Sequence, residues 1–98
     1  MRLKIEVVND YRVIRFKLLE LRDKGYEINA AHRKATRKNF VIQVVSKSNF
    51  YDKVQGLRPD IINFDYEPDT VEYGFAKNRL RSSQGKLKVE GVNQIGWS

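Results

Sequence analysis

Asp60, Asp65, Glu67 and Asp69 stand close together in this chain, and carboxylate oxygens grouped in this way are what a hard cation such as Mg²⁺ takes. Their other role, and the preferred one, is an acidic rim that pairs with the protein's own bases or forms a second contact surface. His32 is the only histidine and there is no cysteine. A His-based zinc site, a Cys-based zinc site and thiolate chemistry are therefore excluded, and a catalytic triad would have to rest on this one imidazole. No catalytic residue, metal ligand or cofactor is assigned.

The basic residues form a better-defined pattern. Arg33, Lys34, Arg37 and Lys38 put four bases in a short stretch, and Lys77, Arg79, Arg81, Lys86 and Lys88 form a second group. Lys and Arg neutralise phosphates and release counterions, the main source of sequence-independent affinity for nucleic acid. On a helix Lys77 and Arg81 share a face as i, i+4 neighbours, and Ser82 and Ser83 could add phosphate hydrogen bonds. The competing reading of the first group is a solvated hairpin or a blunted sheet edge, and of the second, charges that solvate the last helix. Tyr51, Tyr66, Tyr73 and Phe75 could stack on bases, although most aromatics at these spacings belong to a core.

Charge is also sorted along the chain. The net formal charge is +7, yet 61–75 holds four acids and no base, while 32–60 and 76–98 together hold twelve of the nineteen bases and three acids. Segregated positive potential attracts phosphate or an acidic protein surface.

The elements that must position these groups can be read from periodicity. Residues 2–8 alternate strictly between charged and apolar side chains, which predicts a strand with one buried face. Asn9 and Asp10 supply caps for a helix to about Lys24, with Tyr11, Ile14, Leu18 and Leu21 as its apolar stripe and Gly25 as its C-cap. A short strand is expected over 26–31, a basic loop over 32–39, and a strand covered on both faces over 40–45. Ser48 or Asn49 caps a second helix with Phe50, Val54 and Leu57 on its stripe, stopped by Gly56 and Pro59. Residues 60–66 read as a strand, and Asp69 or Thr70 caps a third helix carrying Val71, Phe75 and Leu80. A turn over 82–86 leads to an edge strand with Leu87 and Val89, leaving Trp97 near the end.

The expected order is thus β-α-β-β-α-β with a C-terminal α-β extension, an α/β fold in one small domain over 1–98. A mostly parallel sheet suits this order, and a ferredoxin-like α+β sandwich is the alternative.

Within this order, Gly56-Leu57-Arg58-Pro59-Asp60, followed by the apolar Ile61-Ile62-Asn63-Phe64 and then Asp65-Tyr66-Glu67, resembles the Walker B region of P-loop NTPases, most of all viral terminase and helicase cores. The resemblance implies that Asp65 matches the magnesium-holding acid. Glu67 matches the water-orienting acid one residue late, because Tyr66 intervenes. The sequence departs from the family after the first strand, where Val8-Asn9-Asp10-Tyr11-Arg12-Val13 contains no glycine and no Gly-Lys-Ser/Thr. Amides there cannot curl around a triphosphate and no Lys compensates its charge. The resemblance implies a degenerate relative in fold, without ATPase activity.

Length and composition are those of one folded domain: 98 residues, 41% hydrophobic and eleven per cent aromatic, with pI 9.8. No apolar run approaches the ~18 residues of a membrane span, so no membrane partner is expected, and the setting is cytoplasmic (host cytoplasm if the protein is viral). The function these features predict is a non-enzymatic, basic nucleic-acid-binding accessory domain. The alternative, from a different class, is a small viral or mobile-element interaction protein that binds and modulates a host protein. A metal-dependent nuclease would need the carboxylates to converge with a Lys nearby.

Overall fold

The alternating segment β1 (Arg2–Val8) is the centre of a six-stranded sheet in the computed structural model, which describes residues 2–82 and 85–89. The other strands are β2 (Glu27–Asn29), β3 (Lys34–Arg37), β4 (Phe40–Ser46), β5 (Ile61–Phe64) and β6 (Lys86–Val89), in the spatial order β2-β3-β4-β1-β5-β6. β1 lies parallel to both β4 and β5, and β5 lies parallel to β6. Two antiparallel pairings, β2 with β3 and β3 with β4, complete the sheet. The mostly parallel α/β architecture is therefore the one adopted, and the antiparallel ferredoxin-like sheet is not.

Three helices cover the two faces: α1 (Ile14–Asp23), α2 (Phe50–Val54) and α3 (Thr70–Arg79). Alternation along the strands divides the core in two. Ile5 and Val7 of β1 join Val45, Ile62, Phe64, Leu87 and Val89 against Phe50 and Val54 of α2 and Ala76 of α3. Val8 joins Ala35, Ile42 and Val44 against Ile14, Leu18 and Leu21 of α1. Phe50 anchors the first cluster through edge-on contacts with Phe64 and Phe75, at centroid distances of 5.5 and 5.4 Å, a favoured aromatic geometry.

The Gly56–Asp60 lead-in ties the sheet together at one end. The Asp60 amide donates to the Leu3 carbonyl at 2.8 Å, its carboxylate Oδ2 accepts the Leu3 amide at 3.0 Å, and its carbonyl accepts the Lys86 amide at 3.0 Å. Asp60 thereby sets where β1, β5 and β6 begin.

Several expectations are corrected. The stretch 32–39 is not a plain loop: 34–37 form β3, because Ala35 is buried against α1 while its neighbours face outward, and only Lys38 and Asn39 make the turn into β4. Tyr11 lies 64% exposed in a 3-10 turn that precedes α1, so the stripe that packs begins at Ile14. Val71 is 69% exposed, and α3 buries Glu72 and Ala76 instead. The second helix is shorter than its stripe, a 3-10 turn over 47–49 followed by 50–54. Ser83, Gln84 and Trp97 lie outside the described residues.

Candidate functional site

Lys34 and Gln43 are paired neighbours on β3 and β4. Ala35, Ile42 and Val44 point into the α1 core, so alternation sends Lys34 and Gln43 to the opposite face. That face is where α2 and α3 leave part of the sheet open. Two adjoining clefts occupy it, and Lys34 and Gln43 line both, forming the ridge between them.

The first cleft, about 470 Å³, has an apolar floor of Leu3, Val41 and Leu57 and carries Lys34, Arg58 and Arg81. The second, about 420 Å³, carries His32, Arg33, Lys34 and Lys53. Five bases from four separate segments thus share one surface. Among the described residues Asp60 is the single acid on it, and its carboxylate is bonded to the Leu3 amide.

Local bonds hold these cations. Arg58 donates from Nη1 to the Asn78 carbonyl at 3.3 Å, and the Arg81 amide donates to the Pro59 carbonyl at 2.7 Å. Gln43 Nε2 donates to the carbonyls of His32 at 2.9 Å and Arg33 at 3.3 Å, and the Val44 amide reaches the Arg33 carbonyl at 2.9 Å. Arg33 and Lys38 both adopt left-handed backbone, with φ of 54° and 55°, a region that costs a residue bearing a Cβ about a kcal/mol or more.

The nine predicted binding residues are only partly brought together. Arg33 and Lys34 from the first group and Arg81 from the second meet in the clefts. Arg37 turns away, donating to the Lys24 carbonyl at 2.7 Å and stacking over Tyr26 at 4.6 Å, where it closes the end of α1. Lys38 occupies the β3–β4 turn, and Lys77 is exposed on α3. Arg79 packs over the Phe75 ring at 5.2 Å. Lys86 and Lys88 alternate with the buried Leu87 and Val89 and so emerge on the α1 side of the sheet. Sequence reasoning missed Lys53, Arg58 and Gln43. Arg58 sat in the lead-in already singled out, whereas nothing along the chain relates Lys53 or Gln43 to Arg81.

The acids do not form one cluster. Asp60 precedes β5 and Asp65 follows it, so the strand separates them. Asp69 caps α3, accepting the Glu72 amide at 2.7 Å while Glu72 Oε1 accepts the Asp69 amide at 3.0 Å. Among the described residues no group of three or more His, Asp or Glu is placed to hold a metal ion.

In parallel sheets ligands favour the crevice where crossover direction reverses. Here it lies at the carboxyl ends of β1, which leads through α1 towards β4, and β5, which leads through α3 to β6. The polar groups at that end bond one another. Asp65 Oδ1 accepts the Asn9 amide at 2.9 Å, and Lys47 Nζ lies over the Tyr66 ring at 5.1 Å. The Tyr66 hydroxyl donates to Glu72 Oε2 at 2.9 Å. Burial, followed by the Glu72 carboxylate, pushes the Tyr66 hydroxyl pKa far above its ordinary value. Nearby, the Arg12 guanidinium and amide bonded to Asp10 hold that carboxyl below the usual range.

No helix among the described residues is long and apolar enough to cross a membrane. No family profile, curated protein or solved structure matches the chain.

Proposed function

We propose that this protein is a nucleic-acid-binding module that engages the phosphate backbone through the twin clefts on the open face of its sheet. The observation that carries the reading is that Lys34, from the first basic group, and Arg81, from the second, line the same cleft, with Arg58 beside them. Cations that protrude singly from a surface are screened, but several around one concavity add their potentials. Lys34, Arg58, Arg81, Lys53 and Arg33 supply phosphate contacts, while Gln43 keeps the 32–33 backbone in place. Phosphate contacts of this kind position a strand without reading its sequence. No nucleotide chemistry is assigned to the Walker-B-like segment.

The test is fluorescence anisotropy of a labelled DNA duplex across a salt series. Each lost phosphate contact lowers the slope of log affinity against log salt by about 0.9. Lys34→Ala/Arg58→Ala/Arg81→Ala should lower it by roughly 2.7, equivalent between 50 and 200 mM salt to about a 40-fold change in the ratio of affinities. Lys86→Ala/Lys88→Ala, which removes charge from the other face, should change it by well under one. Equal loss per charge in the two variants, or binding independent of salt, overturns the proposal.

A further inference from the structure

The opposite side of the molecule carries a surface of different character. Of the six large apolar side chains exposed among the described residues, Tyr11, Val13, Phe16 and Leu19 lie in or just before α1. Of these, Tyr11 and Leu19 line a groove of about 450 Å³ between α1 and the edge strand β2. Its floor is Ile14, Leu18 and Ile28, its rim includes Tyr11 and Leu19, and Arg15, Arg22 and Arg33 line it with no acid among the described residues.

We propose that this groove docks an acidic amphipathic helix of a protein partner. The apolar floor suits an apolar occupant, and the exposed Tyr11 and Leu19 extend it at the rim. The arginines determine the sign of its charge, and the guanidinium fork pairs best with carboxylates. Arg15 and Arg22 are seven residues apart on one face of α1, which places them about 10.5 Å apart along its axis. A helix laid alongside α1 with carboxylates at i and i+7 and apolar residues at i+3 and i+4 matches that spacing and fills the floor between them. The twin clefts, by contrast, take their cations from the other sheet face and have no comparable apolar rim. Arg33 alone belongs to both surfaces, so the two proposals stand or fall separately on residues other than Arg33.

The experiment uses a fluorescein-labelled, alanine-based helical peptide with Glu at i and i+7 and Leu at i+3 and i+4, titrated with the full chain and followed by anisotropy. Saturable binding is expected. A peptide with both Glu replaced by Lys should bind about tenfold or more weakly, a loss of roughly 1.4 kcal/mol. Leu19→Asp and, independently, Arg15→Glu/Arg22→Glu should each weaken the Glu peptide about tenfold; all three positions are exposed, so circular dichroism should be unchanged. Equal binding of the two peptides, or indifference to both variants, overturns the proposal. Displacement of the peptide by an unlabelled DNA duplex that persists in Arg33→Ala/Lys34→Ala/Arg58→Ala/Arg81→Ala would instead assign the groove to nucleic acid. A dimer in sedimentation that Leu19→Asp converts to monomer would assign it to a second copy of the chain, and either result also overturns it.

Discussion

Glu6 is a buried carboxylate on the central strand, and replacing its neighbour Asn63 tests what holds it there. Glu6 Oε1 lies 2.7 Å from Lys4 Nζ, and Oε2 accepts Asn63 Nδ2 at 2.8 Å with Lys17 Nζ at 4.0 Å. Both Glu6 and Asn63 are almost wholly buried. Asn63→Leu keeps the branched shape of the side chain with a somewhat larger volume, and takes from Oε2 its one hydrogen bond among the described residues. A hydrogen bond to a charged group contributes about 1.5–3 kcal/mol, and orphaning a buried charged acceptor costs at least as much. Lys17 can close part of the gap, so the expected loss is about 2–3 kcal/mol. In a domain of this size that lowers Tm by roughly 10–20 °C.

The double variant makes the reasoning refutable. Glu6→Leu alone leaves the Asn63 amide buried without its acceptor, again about 1–3 kcal/mol. Glu6→Leu/Asn63→Leu removes charge and donor together, and apolar replacement of a buried polar pair is often neutral or better. Lys4 and Lys17 retain partial access to solvent, so each can hydrate its freed ammonium. The double variant should therefore cost no more than about 1 kcal/mol, less than either single change, with a coupling of at least about 2 kcal/mol in the cycle. Urea titration followed by far-UV circular dichroism, with unchanged m-values, measures all four corners. Additive losses, or a neutral Asn63→Leu, would show that the carboxylate is solvated or held by the lysines alone.

Two further outcomes follow from the geometry. Lys38→Gly relieves a left-handed residue in the β3–β4 turn and should raise the urea midpoint, equivalent to a few tenths to about 1 kcal/mol; a fall would mean that the Lys38 side chain does more there than occupy the turn. Tyr66 keeps its proton longer in the folded than in the unfolded chain, so the unfolded state binds fewer protons at high pH and stability falls as pH rises past about 10. Tyr66→Phe should cost about 1–2 kcal/mol at neutral pH through the lost bond to Glu72 and should flatten that alkaline decline, which a pH series of thermal melts reads directly.

Elements whose periodicity is created by burial were legible from the chain alone. Residues 2–8 form the predicted strand to the residue, although β1 is buried on both faces and not on one, since Glu6 and Val8 lie under α1 while Ile5 and Val7 join the other cluster. Phe50 and Val54 pack as their spacing requires. Periodicity failed where an apolar residue meets no partner: Tyr11 and Val71 continue their stripes in sequence but lie beyond the surface that the sheet offers. It failed again at 34–37, where charged residues flank a single buried Ala35 and the strand owes its existence to pairing with β2 and β4 rather than to its own composition.

The candidate site was legible in kind but not in membership, for a topological reason. Which bases meet depends on strand order and on the face to which each side chain alternates. Lys34 and Arg81 are 47 residues apart in number, and they share a cleft because β4, β1 and β5 set their amino ends side by side while Arg81 is held to Pro59. Lys86 and Lys88, much nearer to Arg81 in sequence, are carried to the other face by the same alternation that buries Leu87 and Val89. A count of charges along the chain treats these bases as equivalent. The sheet divides them, and Lys34, Arg58 and Arg81 line one cleft because its open face gathers them.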